Sequence, residues 1–334
     1  MKRNLYLGGQ NMLSINQLIK YLRNHHHITV KSNQAQSLRN IGYYHGYKGY
    51  RFIRTPNQRI PFSSLDEVIA LNKFDMQLKT IIYPKVMFIE NALKSYVIEA
   101  ILHDCRSENL DTIFNKSITD YKSYTPGSQQ YHKQYAKRMT LKGKINNALL
   151  RDYSNKKQTV NHFFNADQPI PIWAIFESLT LGEFGTFFAC SNSNVKLITS
   201  SILHLPSNLD ADGKITEYII YTIKDLRNAV AHNNTIFDTR FQTSTINNRL
   251  VFLLEKEVGI TGLDFKYIYA YIVLITYVLR KMGETKTSCK HFITEFIDCT
   301  DSLRKQIFPN ICNQILGTQQ RAHLRQLQNF ISQS

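Results

Sequence analysis

The sequence predicts an all-α fold, and three observations support that prediction. Proline and glycine are few, with 8 and 14 among 334 residues, so long segments lack the residues that end helices. Apolar residues recur at helical spacing over the 65–101 segment. Residues that favour helix starts precede apolar segments, as Ser14 and Ser64 do. Because hydrophobic residues make up 43% of the chain, it can bury the core of one large domain or of two closely packed ones.

The N-terminal arm, residues 1–62, is expected to contain a helix followed by an irregular segment. Ser14 is the predicted cap of a helix that ends near residue 23. The 42–50 segment is rich in glycine and tyrosine, a composition that disfavours a regular helix. We predict a turn there, with a short strand or irregular arm that continues to Arg54.

The helical core is expected to span residues 63–282, with a basic helical insertion at about 105–168, and a basic helical extension follows over 283–334. Ser64 and Glu67 have the spacing of a capping box, so a helix begins there. Pro84 lies inside the apolar pattern and is expected to break or kink this helix. Pro171 suits a first helical turn. Further helices are predicted over residues 129–153, 171–182, 216–233 and 265–281.

Composition favours a polyanionic partner and a reducing compartment. Lys and Arg outnumber Asp and Glu by 41 to 25, which gives a net charge of +16, and Tyr and Phe number 19 each. A basic surface with many planar rings suits RNA, although a charge kept only for solubility stays an alternative.

The five cysteines form no CxxC pair, residues 1–5 lack the apolar run of a signal peptide, and the apolar 267–279 segment is too short to span a bilayer. We therefore expect a cytoplasmic protein without a membrane span, a disulfide framework or a zinc site.

One segment concentrates positive charge. Between residues 122 and 157 the only acidic residue is Asp152, and tyrosines are interleaved with the cations. The one-sided charge favours contact with RNA phosphates and bases, while a solvated helix face is the alternative. The residues expected to bind RNA are Lys133, Lys137, Arg138, Lys142, Lys144, Arg151, Lys156, Lys157, Tyr131 and Tyr135.

A second segment carries residues suited to catalysis. Arg227, Asn228 and His232 lie on a predicted helix, where Asn228 and His232 share a face and Asn228 could orient the imidazole. Metal-independent RNA cleavage needs proton transfer, which His performs near neutral pH, and a cation for the phosphorane charge, which Arg supplies. One chain offers one such pair, so we expect a homodimer in which the small Ala229 and Ala231 let two helices approach. We expect no cofactor and no metal, because the 25–27 histidine cluster lacks carboxylate or thiolate neighbours.

The 226–234 segment resembles the RNxxxH motif of HEPN ribonucleases, in the form seen in the Abi family of abortive-infection proteins (AbiD and AbiF-like). Three further blocks resemble the family in the same order: a tyrosine-rich block at 41–50, a helical signature at 74–94, and a P-x-W block at 171–184. The resemblance covers roughly residues 15–280. It implies an all-α HEPN-type helical core, phage defence or toxin–antitoxin biology, and RNA as substrate. AbiF-like members are associated with a small structured non-coding RNA, which makes such an RNA a possible partner.

The chain departs from the family pattern at three positions. His45, Lys79 and Lys94 stand where the family usually has arginine, and none of them belongs to the Arg227/His232 pair.

Trp173, Asp75 and Glu177 lie in the family blocks and have different expected roles. Trp173 is expected in the core because its helix is rich in apolar residues, and Asp75 is expected to be structural. Glu177 could support the site by a hydrogen bond to the Arg227 motif, or it could serve as a plain helix cap or surface residue.

The sequence thus favours a metal-independent endoribonuclease toxin. Two alternatives stay open: a protein that holds a small structured RNA without cleaving it, and a helical module that senses a phage protein.

Overall fold

The computed structural model describes residues 13–333, and within that range the regular structure is helical throughout. It contains fifteen α-helices, two short 3-10 turns and one π-helix, and no β-strand; only isolated bridges such as Thr29 with Ser64 occur. The predicted all-α fold is confirmed for the described part of the chain. Residues 1–5, where we expect no signal peptide, lie outside it.

The N-terminal arm begins with two short helices, α1 (Ile15–His26) and α2 (Ala35–Ile41). Ser14 caps α1 as predicted, with a capping box to Gln17, and the helix runs three residues beyond its expected end. Gly42–Lys48 forms a π-helix where a turn was predicted, and the chain from Gly49 to Arg54 is irregular, as predicted. A Cβ at Gly46 would lie 2.6 Å from the carbonyl oxygen of Ile41. Gly46 therefore permits the close backbone contact in the π-helix. At this position glycine does not mark the end of a helix.

Helix α3 (Leu65–Cys105) is the central element of the molecule. Its 41 residues extend about 60 Å at the usual rise per residue. Ser64 and Glu67 form the predicted capping box. Pro84 does not break the helix. Both Pro84 and Thr80, whose carbonyl loses its helical donor, are exposed, so water can satisfy that carbonyl.

The remaining helices pack around α3. Their bounds are α4 (Leu110–Lys116), α5 (Gln129–Ser154), α6 (Gln158–Asn165), α7 (Ile172–Ser178), α8 (Leu181–Cys190), α9 (Ser193–Ile202), α10 (Ile215–Ala231), α11 (Asn248–Val258), α12 (Ile268–Lys281), α13 (Lys286–Arg304), α14 (Pro309–Leu316) and α15 (Gln320–Gln333). The 3-10 turns are Ser32–Gln34 and Asp120–Ser123.

A single apolar core joins these elements. It extends from Ile19 in the arm to Ile331 in the C-terminal extension. Helix α3 packs against α9, α10, α12 and α13, and every residue of α12 from Ile268 to Leu279 is buried. The apolar 267–279 segment is thus a core helix. No helix within 13–333 combines the length and hydropathy needed to cross a bilayer. The boundaries at residues 62 and 282 stay a prediction.

The predicted helix over 171–182 is divided in two. Helix α7 ends at Ser178, Leu179 is extended, and Thr180 caps α8 through a capping box with Glu183. The Thr180-x-x-Glu183 pattern favours a new helix start, and it outweighs the continuous apolar pattern. This break leaves the last carbonyl groups of α7 open to side chains from other helices.

Candidate functional site

The Arg227 motif lies at the C-terminal end of α10. Arg227 and Asn228 belong to the helix, while His232 is its C-cap. The chain then turns at Asn233, which has a left-handed backbone (φ 53°). The amides of Asn233 and Asn234 close the helix end by donating to the carbonyls of Val230 (3.1 Å) and Ala229 (2.8 Å). The motif therefore combines a helical Arg with a His on the turn that follows.

Two of the three guanidinium nitrogens of Arg227 have partners. Its Nε donates to Oε2 of Glu90 on α3 at 2.9 Å, and its Nη1 donates to Oδ1 of Asn228 at 3.2 Å. Lys94 Nζ contacts the same Glu90 carboxylate at 3.2 Å. The Arg227 side chain keeps 24% of its surface exposed, and Nη2 has no partner within residues 13–333. A guanidinium fixed at Nε with free Nη donors is suited to phosphate oxygens.

His232 is exposed, and its imidazole makes no hydrogen bond to the described residues. The expected support from Asn228 is absent, because the Asn228 side-chain oxygen accepts from Arg227. Asn228 thus orients the arginine, while the imidazole stays accessible from solvent. The expected approach of two helices through Ala229 is wrong, because Ala229 is buried within its own chain. Ala231 is exposed.

A buried pair on α3 fixes the turn after His232. Lys79 Nζ contacts Oδ2 of Asp75 at 2.7 Å and donates to Oδ1 of Asn233 at 2.8 Å. The other Asp75 oxygen accepts from the amides of Ile236 and Phe237, at 2.8 Å each. Asp75 is fully buried, so its expected structural role is confirmed.

Tyr50 extends this network into the N-terminal arm. Its hydroxyl donates to Asp75 Oδ2 at 2.8 Å. Burial, followed by the neighbouring Asp75 carboxylate, raises the pKa of Tyr50, so the phenol is a stable donor. The tyrosine-rich block is thereby joined to the segment that carries the motif.

The sequence indicated a structural role for Asp75, but it did not identify Glu90 as the partner of Arg227 or the two lysines as members of buried pairs. Asp75/Lys79 and Glu90/Lys94 are both acid–base pairs four residues apart on α3, which places each pair on one helix face. In the sequence, the sign of such a buried pair is an acidic residue inside an otherwise apolar helical pattern.

The structure decides between the two readings of Glu177 and contradicts the expectation for Trp173. Glu177 is exposed, and the carboxylate beside Arg227 belongs to Glu90, so Glu177 provides the surface role that was the alternative. Its backbone carbonyl accepts from Lys157 Nζ at 3.0 Å. The prediction of Trp173 in the core is wrong, because 44% of this residue is exposed. It lies at the start of α7, on the side that faces solvent.

The basic residues of α5 and the turn after it fall into two groups. Those without an ion pair or hydrogen bond among the described side chains are Lys133, Lys137, Lys144 and Lys156. Lys137 is half-buried, and its charge acts on the Glu217 carboxylate. Lys133, Lys144 and Lys156 are exposed, and they are the free cations that the segment presents.

Four other cations of this segment hold the protein together. Arg138 donates to the carbonyls of Ile118 (3.0 Å) and Phe114 (2.9 Å), and Lys142 contacts Asp111 at 3.4 Å. Arg151 and Lys157 contact Asp152. A guanidinium that satisfies two backbone carbonyls is a structural group.

Arg151 and Lys157 flank the buried Asp152. Their distances to its carboxylate are 3.0 and 3.1 Å. Burial opposes ionisation of Asp152, but hydrogen bonds from Lys157, Ser178 and Arg151 lower its pKa. Arg151 also donates to the carbonyl of Ser178 at 2.6 Å. These two cations therefore anchor α5 to the end of α7.

Tyr131 and Tyr135 are stacked on each other. Their ring centroids are 6.2 Å apart with an 8° angle between planes, and Tyr121 meets both rings edge-on. Tyr135 is 36% exposed. The pair is a partly exposed aromatic surface beside the free lysines.

The end of α7 connects the motif with the basic helix. Lys94, which shares Glu90 with Arg227, donates to the carbonyl of Leu179 at 3.2 Å. Arg151 binds the adjacent carbonyl of Ser178. A chain of direct contacts thus links Arg227 to the C-terminal part of α5. Lys133, two dozen residues before Lys157, lies toward the opposite end of that helix.

Residues 13–333 contain no group of three or more His, Cys, Asp or Glu side chains arranged to hold a metal ion. The cysteines are unpaired within the same range.

The segment that carries the Arg227 motif lies inside a region that matches a known family. The model of the Abi-like proteins matches residues 36–238, more than half of the chain. The protein belongs to the Abi-like family, which indicates a role in abortive infection, a defence against phage. No curated protein and no solved structure matched the chain.

Proposed function

We propose that this protein is a metal-independent HEPN endoribonuclease toxin of phage defence, acting on RNA in the cytoplasm as a homodimer. The observation that carries the proposal is the hydrogen bonding of the Arg227 guanidinium. Glu90 and Asn228 accept from its Nε and Nη1, while Nη2 is left without a partner among the described residues. His232 supplies an accessible imidazole five residues further along the chain.

The chemistry assigned to these groups is transesterification. The 2′-hydroxyl loses its proton and attacks the adjacent phosphorus, the bond to the 5′ oxygen breaks, and that oxygen takes up a proton. The products are a 2′,3′-cyclic phosphate and a 5′-hydroxyl. Imidazole groups transfer the protons, and guanidinium groups stabilise the phosphorane charge. Two chains supply two of each group.

RNA is the proposed ligand of the free lysines of α5 and of the Tyr131/Tyr135 pair. A cognate small structured RNA is a further proposed partner. A second candidate function, holding such an RNA without cleaving it, is favoured by one observation: a single chain offers one imidazole, and that imidazole has no orienting partner within residues 13–333.

Cleavage of a labelled RNA in EDTA tests the proposal. Arg227→Ala and His232→Ala should each lower the cleavage rate about 100-fold or more, while RNA affinity changes little. Arg321→Ala and His291→Ala are matched controls, since both side chains are about 70% exposed and lie on other helices. Activity lost in EDTA and restored by Mg²⁺, or unchanged in both motif variants, would refute the proposal. Tight RNA binding without cleavage would favour the second candidate.

A further inference from the structure

A cleft of about 580 Å³ lies where the segment before α7 meets the segment before α4. Ile172 N donates to the carbonyl of Glu108 at 3.1 Å, and Asn109 and Pro171 form an antiparallel bridge. The two segments are thereby joined through their backbones. Two prolines, at 169 and 171, further restrict the wall of the cleft. The cleft is a preformed feature, and its volume is in the range of small-molecule sites.

Trp173 lines this cleft and keeps 44% of its surface exposed. It is the only tryptophan of the chain. The ring of Phe163, also in the lining, meets it edge-to-face, with centroids 5.8 Å apart and planes at 71°. Tryptophan contributes strongly to stability when buried, so its placement at the mouth of a cleft suits a function in binding. A planar ring is the partner that such a surface favours.

The polar groups of the cleft are suited to a nucleobase edge. The Glu108 carboxylate is exposed and has no hydrogen bond or ion pair within the described range. The Asn109 side-chain oxygen already accepts from the amides of Asp111 and Thr112, at 3.0 and 3.1 Å, so its amide NH₂ is what it offers. Gln168 contributes a second side-chain amide. The lining contains no Lys or Arg, which favours a base over a phosphate.

Cations that bind the end of α7 lie close to the cleft along the same short helix. Trp173 is near the first residue of α7, and the carbonyls that hold Arg151, Lys157 and Lys94 are at its end. Trp173 and Ser178, five positions apart in α7, are separated by about 8 Å along the helix axis. Lys156, beside this junction, is exposed. A strand whose base enters the cleft therefore passes near Lys156 and near the contacts that lead to Arg227.

We propose that this cleft binds one unstacked nucleobase of single-stranded RNA, stacked on Trp173, with the Glu108 carboxylate accepting a hydrogen bond from an exocyclic amino group. Stacking on an aromatic ring accepts every base, whereas the carboxylate selects bases with an amino group at the edge, such as cytosine over uracil. The proposal rests on RNA being the ligand of the proposed function, and it does not depend on cleavage.

Tryptophan emission tests the proposal directly, because all of it comes from Trp173. The probes are unstructured ten-nucleotide oligomers of cytidine and of uridine, which differ at each base by the amino group. We expect both to quench the emission, with the cytidine oligomer binding about tenfold more tightly. Glu108→Gln should remove or reverse that preference, since the amide also donates to the uracil oxygen.

A second measurement does not depend on the fluorophore. By anisotropy of a labelled oligomer, Trp173→Ala should weaken binding about tenfold, and Trp173→Phe should restore most of the affinity. Phe308→Ala, at a residue 54% exposed on another part of the surface, is the matched control. Circular dichroism verifies the fold of each variant.

The proposal is overturned if neither oligomer quenches Trp173 emission, if Trp173→Ala binds RNA as the parent does, or if Glu108→Gln leaves the base preference unchanged. Quenching by a proline-rich peptide and not by RNA would assign the cleft to a protein ligand and would equally overturn it. A failure of the ribonuclease proposal can be told apart from a failure of the cleft proposal. If the protein is not the proposed ribonuclease, Arg227→Ala cleaves RNA as the parent does, and the titration of Trp173 emission still shows whether the cleft binds a base.

Discussion

Arg227 Nε lies 2.9 Å from Oε2 of Glu90, so residues 137 positions apart in the chain form one contact between α10 and α3. Glu90 is 3% exposed and its second oxygen contacts Lys94. One buried carboxylate therefore balances two cations, one in the motif and one bound to the end of α7. This contact sets the direction of the guanidinium, because a buried ion pair tolerates few geometries.

Removing the Glu90 carboxylate should reduce both stability and activity. Glu90→Ala leaves Arg227 and Lys94 without their counter-charge. Loss of one partner of a buried pair costs about 3–5 kcal/mol; since Arg227 is 24% exposed, we expect about 2–3 kcal/mol. Urea unfolding measures this loss.

Glu90→Gln keeps an acceptor for Arg227 and separates orientation from charge. We expect it to retain more stability than Glu90→Ala but to cleave RNA more slowly than the parent. Glu295→Gln, at an exposed pair with His291, is the control and should change the free energy of unfolding by less than about 1 kcal/mol. An unchanged unfolding midpoint for Glu90→Ala would contradict the role assigned to this contact.

The structure separates RNA-binding cations from structural ones on α5. Replacing Lys133, Lys144 and Lys156 with Ala should weaken RNA binding without loss of stability, because all three are exposed and free. Each phosphate contact removed lowers the log–log salt slope by about 0.7 for single strands, so the slope should fall by about 2. Binding titrations at several salt concentrations give this number.

The control variant replaces Lys20, Lys290 and Lys305, exposed lysines on other helices or turns, and makes the same change in net charge. An equal effect of both variants would indicate nonspecific attraction. Arg138→Ala behaves differently: it should destabilise the fold by about 1–3 kcal/mol, because two buried carbonyl groups lose their donor.

Local chemistry made part of this fold predictable from sequence. Ser14 and Ser64 were identifiable as helix caps because each cap is built from residues within four positions. The Thr180/Glu183 cap was missed because the apolar pattern continues across it. The π-helix depends on close contact at Gly46, which composition does not distinguish from a turn.

For the candidate site, the sequence identified the residues that could perform the chemistry but not the residues that hold them in place. Arg227 and His232 stand in a short motif, but the partner of Arg227 comes from a helix far away in sequence. Arg138 and Lys144 look alike in a charge pattern, although one binds carbonyls and the other is free. Trp173 was misplaced for the same reason, since helical spacing alone does not tell which side another element covers.

Cleavage that requires two chains predicts a specific behaviour in mixtures. Mixing Arg227→Ala chains with His232→Ala chains forms heterodimers in which the shared site holds one Arg and one His, where the parent site holds two of each. We expect these heterodimers to cleave RNA at a rate unlike that of either variant homodimer. Sedimentation at the assay concentration confirms the assembly. A monomer with full activity at nanomolar concentration would exclude the shared site.

The ion pair between Asp212, which precedes α10, and Arg249 of α11 makes the stability of the fold depend on pH. Arg249 donates to both oxygens of Asp212, at 2.7 and 2.9 Å. This hydrogen bonding lowers the pKa of Asp212 to about 2, although burial opposes the shift. An unfolded Asp has a pKa of about 3.9, so the unfolded chain binds more protons between these values. The pair therefore stabilises the fold fully above about pH 4–5, and its contribution is lost as the pH falls toward 2.

Asp212→Asn tests this pH dependence. Because both side chains are about 40% exposed, solvent screening limits the contribution to about 1 kcal/mol at neutral pH. Urea unfolding of parent and variant at pH 6, 4 and 3 should show a difference that shrinks as the pH falls. Asp298→Asn, at an exposed residue of α13, corrects for the loss of one carboxylate. A difference that stays constant from pH 6 to pH 3 would mean that the Asp212 carboxylate contributes through its shape and not through its charge.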